Sequence, residues 1–438
     1  MSQDPQRRLA DHPMTPMQVL IIAVTVGLIA LDGFDVLAIS FASPGIAREW
    51  GIDRGALGIV LAMELLGMAL GSVLLGALAD YLGRRRTVLI CLTVMTIGMA
   101  MVTTVHTIGS LCVWRVVTGV GIGGMVAAGN AIATEFASDR RRDLAVSMMA
   151  IGYPLGAVSG GSIAALLLKS SDWRAVFEFG ACVTGAFIPL VLFCMPESVG
   201  WLLEKRPARA LQRVNQTLQR IGHPLMTALP AATPRAVSVP LIAIFKPALL
   251  PLTMALTITY FLHITTFYFI LKWIPKIVVD MGFTAASAAG VLVWANVGGA
   301  LGGAALGLLS ARFGVKALTM LLLVTSTVAV CWFGHGQATL AGLSLVCAVA
   351  GFCTNGGVVG LFGVLARAFP TQLRATGTGF AVGLGRGASV LAPIIVGFLF
   401  KAGYGLQFIA VLMSVGSLLG ALILSRISVP TVQSESPP

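Results

Sequence analysis

Apolar residues run along this chain in twelve blocks, each bounded by charged or turn-forming residues: 17–42, 55–79, 87–106, 109–135, 144–168, 174–195, 248–274, 285–310, 316–334, 339–367, 374–401 and 405–426. A helix crossing roughly 30 Å of hydrocarbon needs about 20 residues, which these blocks match or approach. The pattern predicts an all-α membrane protein with twelve transmembrane helices. Between the sixth and seventh blocks lies one long polar interval, 196–246. Within it Leu202, Leu203, Leu211, Val214, Leu218 and Ile221 predict an amphipathic helix over 201–221, near the inner leaflet, with Pro224, Pro230, Pro234 and Pro240 breaking the chain after it. The domain order is then a tail (1–16), a six-helix bundle (17–195), a linker (196–246), a second six-helix bundle (247–427) and a tail (428–438).

The two bundles echo each other. Gly76-Ala-Leu-Ala-Asp80-Tyr-Leu-Gly83-Arg84 aligns with Gly307-Leu-Leu-Ser-Ala311-Arg-Phe-Gly314-Val315 at an offset of 231 residues, and Gly152 and Gly156 align with Gly383 and Gly387 at the same offset. Parallel repeats of six helices are a transporter device, with the substrate site expected between the halves near the membrane midplane.

Composition sharpens this picture. Of 438 residues 57% are apolar and 11% charged, too little polarity to cover a soluble protein of this size. The net charge of +12 comes from residues between the apolar blocks, with no basic patch interleaved with aromatics, so it points to membrane orientation and not to nucleic acid. With the termini placed inside, Arg7, Arg8, Arg84–Arg86, Arg140–Arg142, seven basic linker residues, Arg312, Lys316, Arg367, Arg374 and Arg426 face the cytoplasm, 20 against 7 outside. Cytoplasmic termini follow. The first apolar block is too long for a signal-peptide core of about 7–15 residues and should be retained. Seven Cys and five His sit singly, with no Cys-x-x-Cys and no His pair one helical turn apart, so neither a disulfide frame nor a metal centre is expected.

Charges inside the blocks carry the candidate chemistry. An acid near a helix midpoint costs about 2.5–3.5 kcal/mol on insertion scales and normally faces a protein-lined cavity. Asp32 and Asp35, three residues apart in the first block, share a helix face, and burial together with a second carboxylate favours the protonated form of such an acid. At least one is expected to carry a proton, rather than to sit in a structural ion pair. Glu64 is either a second protonation site or a hydrogen-bonded cavity wall. Arg115 and Arg386 are permanently cationic, and each should meet a protein acid or a substrate carboxylate in bidentate fashion. Arg386, on the half opposite the acids, is the expected anion anchor; Arg115 is expected to pair with Asp32 or Asp35, linking proton release to substrate movement. Gly119–Gly124 fits G-x-G-x-x-G, but no strand precedes it, so its glycines are read as helix-packing positions and not as a dinucleotide site.

Four blocks carry a resemblance. Gly76–Arg86, with its degraded copy at 307–316, looks like the loop between the second and third helices of the major facilitator superfamily. Arg115-Val-Val-Thr-Gly119-Val-Gly121-Ile-Gly123-Gly124 resembles that superfamily's fourth-helix motif. Asp32-Gly33-Phe34-Asp35, and Phe369-Pro370 with Arg374-Ala-Thr-Gly377 and Gly385-Arg386, resemble its aromatic acid:proton symporter branch. Ala311 stands where the first half has Asp80, so the second gate lacks that acid.

The resemblance implies a bacterial inner-membrane protein that imports benzoate-, hydroxybenzoate- or hydroxycinnamate-type acids with protons by alternating access, as a monomer, with the proton as coupling ion and no other cofactor. Muconate or a sugar acid as cargo, or a proton antiporter exporting its substrate, are the alternatives. Substrate contacts are expected from Arg386, Asp35, Tyr260, Trp294 and Asn296, and proton coupling from Asp32, Asp35, Glu64 and Arg115. A cytoplasmic charge latch is expected from Gly76, Asp80, Gly83, Arg84, Glu135, Arg141 and Arg374. His263 is read as a packing residue before a proton relay. No nucleophile with its base is recognisable, which argues against an enzyme.

Overall fold

A computed structural model describes residues 12–230, 241–247, 249–370 and 373–427. Arg7, Arg8, Pro234, Pro240 and the tail 428–438 lie outside these residues. Among the described residues the regular structure is helical: α1 (Pro16–Trp50), α2 (Arg54–Leu82), α3 (Arg84–Val102), α4 (Ile108–Phe136), α5 (Arg142–Ser170), α6 (Arg174–Cys194), α7 (Val199–Lys205), α8 (Ala210–Arg220), α9 (Leu250–Asp280), α10 (Ala285–Phe313), α11 (Val315–Gly334), α12 (Leu340–Ala368), α13 (Arg374–Lys401) and α14 (Leu406–Ser425). All but the short α7 and α8 are long and apolar enough to cross a membrane, which gives the twelve expected spans. Polar residues set several starts: the hydroxyls of Thr107, Thr284 and Thr339 accept the backbone N–H of Ser110, Ser287 and Gly342, capping α4, α10 and α12.

Two spans run further than their apolar blocks. α1 continues past residue 42 through Pro44 to Trp50, and α9 past 274 through Pro275 to Asp280. Proline removes one helical N–H, but ending the helix inside hydrocarbon would bare several backbone groups at once. The linker differs more. Instead of one helix over 201–221 there are two, because Pro207 has no N–H to donate and Arg206 and Arg209 flank it with left-handed backbone, φ 46° and 61°. Their apolar side is not laid against lipid: Trp201, Leu202, Val214, Leu218 and Ile221 are buried within the protein.

Contacts group the chain into two compact units, residues 1–42 with 63–236 and residues 43–62 with 237–438. The end of α1 and the start of α2 therefore count with the second unit, a division no linker composition signals. Inside each unit the helices pair alike. In the second, α9 packs on α13, α10 on α12 and α11 on α14. In the first, Gly156 of α5 abuts the Ala30 carbonyl of α1, Gly67 of α2 abuts the Val116 carbonyl of α4, and α3 packs on α6. Gly67 and Gly71, where any side chain would strike the α4 backbone, recur at the 231-residue offset as Gly298 and Gly302, which touch the Ala348 and Phe352 carbonyls of α12 in the same way. Small residues that let backbones approach are the usual means of helix association in lipid.

Candidate functional site: a buried acid cluster around Arg115

Close contact between α2 and α4 positions the first charged pair. Gly119 leaves room for the Glu64 carbonyl against α4, which brings the Glu64 carboxylate to Arg115, one turn earlier on that helix. Both side chains are fully buried and form an ion pair. Arg115 also donates from Nη2 to the Asp35 carbonyl (3.2 Å) and from Nη1 to the Met99 sulfur (3.5 Å), and its Cζ lies 5.2 Å from the Phe177 ring centroid. The partner expected for Arg115 was the carboxylate of Asp32 or Asp35; it is Glu64, with Asp35 contributing its backbone oxygen instead.

Asp32 and Asp35 are thereby left to their own chemistry. Both are fully buried, and none of their four carboxylate oxygens makes a hydrogen bond. Asp35 faces Gly180 of α6, and the Thr184 hydroxyl lies beside its carboxylate. An ionised carboxylate so enclosed forfeits its hydration with no hydrogen bond in exchange, and costs several kcal/mol. Asp32, Asp35, Glu64 and Arg115 thus lie together as one buried cluster within the first unit.

At the 231-residue offset, Asp32 and Asp35 correspond to His263 and Thr266 of α9. These are buried and fully engaged: the two His263 nitrogens lie 2.8 Å from the Ser417 hydroxyl and 2.8 Å from the Thr354 carbonyl, and Thr266 donates to the Met413 carbonyl (2.6 Å). The same repeat position is a hydrogen-bonded clamp in one unit and a pair of unbonded acids in the other.

Arg386 sits on α13 between two glycines. The Tyr260 ring fills the space beside Gly385, Phe261 comes near Gly387, and Tyr260 also lies 5.7 Å from the Phe362 ring centroid. Asn296 is buried and donates to the Leu292 carbonyl of its own helix (2.9 Å), while Trp294 is more than half exposed.

The predicted latch residues gather only in part. Arg84 pairs with Asp80 (2.5 Å) and Glu135 (3.2 Å). Gly76 makes only ordinary contact with Ala127, Arg141 and Arg374 are exposed, and neither has an ion pair among the described residues. The sequence reading missed Glu197. Its Oε1 accepts the backbone N–H of Arg84 (2.7 Å) and Arg85 (3.1 Å), and Trp201 Nε1 donates to the Asp80 carbonyl (3.0 Å). Burial pushes the Glu197 carboxyl above its ordinary range, against the opposing pull of these N–H groups. Gly83 makes the arrangement possible: its φ is 106°, and a side chain there would run into Glu197. Gly83→Val should cost about 1–3 kcal/mol, seen as a lower melting temperature of the purified protein in detergent; an unchanged melting temperature would show that the loop tolerates a side chain.

A second charged set, also missed, belongs to the second unit. Arg54 pairs with Asp280 (2.9 Å), which also pairs with Lys276, and Asp53 pairs with Lys401 (3.0 Å). Asp53 is held below the usual carboxylate range first by the Ala56 N–H and then by Lys401. Its contribution is therefore complete above the ordinary carboxylate range and lost only as pH falls through its own lowered value. No motif signalled these residues, because the three places that supply them, 53–54, 276–280 and 401, are helix ends far apart in sequence.

The family model described as Major Facilitator Superfamily matches residues 25–393. Among curated proteins the chain is 30% identical over 416 residues to the 4-hydroxybenzoate transporter PcaK of Pseudomonas aeruginosa, covering 92% of this chain and 91% of that one. It is 28% identical over 421 residues to a gallate transporter of Pseudomonas putida, covering 94% and 92%. Among solved structures, the inward-open xylose transporter XylE of E. coli superposes with a TM-score of 0.74 over 95% of this chain and 98% of that one, at 18% identity, a likeness of fold.

Proposed function

Because the chain belongs to the major facilitator superfamily, we propose that it is a proton-coupled symporter importing an aromatic carboxylate across a bacterial inner membrane by alternating access, as a single chain with both termini in the cytoplasm. The relatives' printed substrates, 4-hydroxybenzoate and gallate, support the cargo class, and the distribution of basic residues supports the orientation. One observation carries the coupling: two buried carboxyl groups without a hydrogen bond, beside an arginine whose charge Glu64 already balances. Such an acid is neutral when it holds a proton and unpaired when it does not, so its charge state is free to follow the side of the membrane it meets. Glu64 and Arg115 then serve as the fixed element and Asp35, nearest to Arg115, as the moving charge. Arg386 supplies a guanidinium on a stretch of α13 whose neighbouring glycines, Gly385 and Gly387, face Tyr260 and Phe261, so that cation and aromatic rings, the two features an aromatic carboxylate needs, come from one region of the second unit.

Uptake of labelled 4-hydroxybenzoate, gallate, benzoate, hydroxycinnamate, muconate and a sugar acid into proteoliposomes tests this reading. An inward proton gradient should drive accumulation of at least one aromatic acid, and an ionophore that collapses pH difference and voltage should abolish it. Accumulation that survives the ionophore would end the symporter assignment, and efflux under the same gradient would make the protein an exporter. Arg386→Lys keeps the charge but loses the planar fork, and should raise the half-saturating substrate concentration by about tenfold, or ~1.4 kcal/mol; an unchanged value would remove Arg386 as the anchor.

A further inference from the structure

On the first unit a cleft of about 580 Å³ opens where the first turn of α3, the segment just after α6 and the two linker helices meet, lined by Arg85, Arg86, Arg213 and Arg220 with a single acid, Glu197. That volume falls within the ~300–1,000 Å³ usual for a small-ligand site. Four arginines face one acid, so the lining keeps a net positive charge, and Glu197 makes no ion pair with them among the described residues; its Oε1 instead accepts the backbone N–H groups of Arg84, Arg85 and Ser198. Arg86, Arg213 and Arg220 are exposed and form no ion pair among the described residues. Arg85 Nη2 donates to the Leu192 carbonyl (2.6 Å), while its Nε is buried without a hydrogen bond.

Helical spacing builds one wall of the cleft. Arg213, Gln216, Thr217 and Arg220 fall on one face of α8 at i, i+3, i+4 and i+7, and line it, while Val214 and Leu218 bury the opposite face. The α6 end that accepts from Arg85 is also where apolar side chains are exposed, Leu192 at 41% and Phe193 at 77%. A cleft rich in guanidinium groups, opening beside an apolar rim, suits a ligand with a phosphate at one end and hydrocarbon at the other. Guanidinium forks bind phosphate oxygens in pairs, and basic pockets on the cytoplasmic side of membrane proteins recognise anionic headgroups.

We propose that this cleft holds a phosphate-bearing anion, the headgroup of an anionic phospholipid of the inner leaflet, which ties α3, α6 and α8 together. The proposal rests on the cytoplasmic placement of the linker and is independent of which substrate is carried.

Native mass spectrometry of the purified full chain, titrated with phosphatidylglycerol, with phosphatidylcholine, or with inorganic phosphate and glycerol 3-phosphate, tests it. Phosphatidylglycerol should remain bound where phosphatidylcholine does not, and the R86Q/R213Q/R220Q variant should weaken its binding about tenfold or more. The charge-matched variant R312Q/R367Q/R426Q should bind as the wild type does, and R86K/R213K/R220K should fall between. If the glutamine variant does not fold, Arg213→Gln alone reads the same quantity with a smaller loss. Equal phosphatidylglycerol binding in the wild type and the glutamine variants overturns the site, as does an equal loss in the charge-matched control. Binding of the soluble phosphates without phosphatidylglycerol overturns the lipid assignment and leaves a soluble phosphate compound as the occupant.

Discussion

Asp35→Asn, reconstituted in liposomes, takes up no more substrate under an inward proton gradient than protein-free vesicles do, yet still exchanges internal for external substrate. Asparagine fixes the neutral form of the side chain in nearly the same volume, so a step that needs the acid to lose its proton stops while substrate binding persists. The effect follows from the burial of Asp35: its carboxylate is enclosed without an ion pair of its own, and the neighbouring guanidinium is paired with Glu64. Asp32→Asn should fail in the same way, since Asp32 is as completely enclosed. Normal gradient-driven uptake by both variants would sink the coupling mechanism. Loss of exchange together with uptake would instead give the acids a part in substrate binding.

The second large effect concerns stability. Removing one partner of a buried ion pair strands the other, typically at about 3–5 kcal/mol, whereas replacing both is often close to neutral. Arg115→Met should therefore lower the melting temperature of the purified protein sharply, and adding Glu64→Gln should restore a good part of the loss. Full restoration is not expected, because Arg115 also binds the Asp35 carbonyl and lies against Phe177. A single Arg115→Met variant as stable as the wild type would show that Glu64 takes a proton once its partner is gone, making it a second titrating group and not a fixed one.

Membrane-length apolar blocks made the architecture legible in the sequence. Ten of the twelve spans begin and end within a few residues of their blocks, because charge at a hydrocarbon boundary leaves little choice. The two overruns pass through Pro44 and Pro275, because an apolar block does not say whether a helix end would meet water or hydrocarbon. The linker was misjudged for a related reason. An apolar stripe says that a helix buries one face but not against what, and here Trp201, Val214 and Leu218 bury theirs in protein.

Within the site, the identities of Asp32, Asp35, Glu64 and Arg115 were legible because charge inside an apolar run is conspicuous. Their pairing was not: Arg115 meets Glu64 only because Gly119 draws two helices together, a tertiary fact. Glu197 and the Asp53, Arg54, Asp280 and Lys401 set stayed hidden because charges at helix ends are ordinary in sequence, and only folding shows which of them meet.

The stretch after α6 is fastened at three points: Glu197 to the amides of Arg84 and Arg85, Trp201 to the Asp80 carbonyl, and His223 to Gln18, whose oxygen is 3.2 Å from the imidazole. It acts as a strut of the first unit and not as a slack tether. Two co-expressed fragments divided after residue 230 would each keep their fastenings, whereas a cut at residue 195 would hand the strut to the wrong piece and leave the loop around Gly83 without its brace.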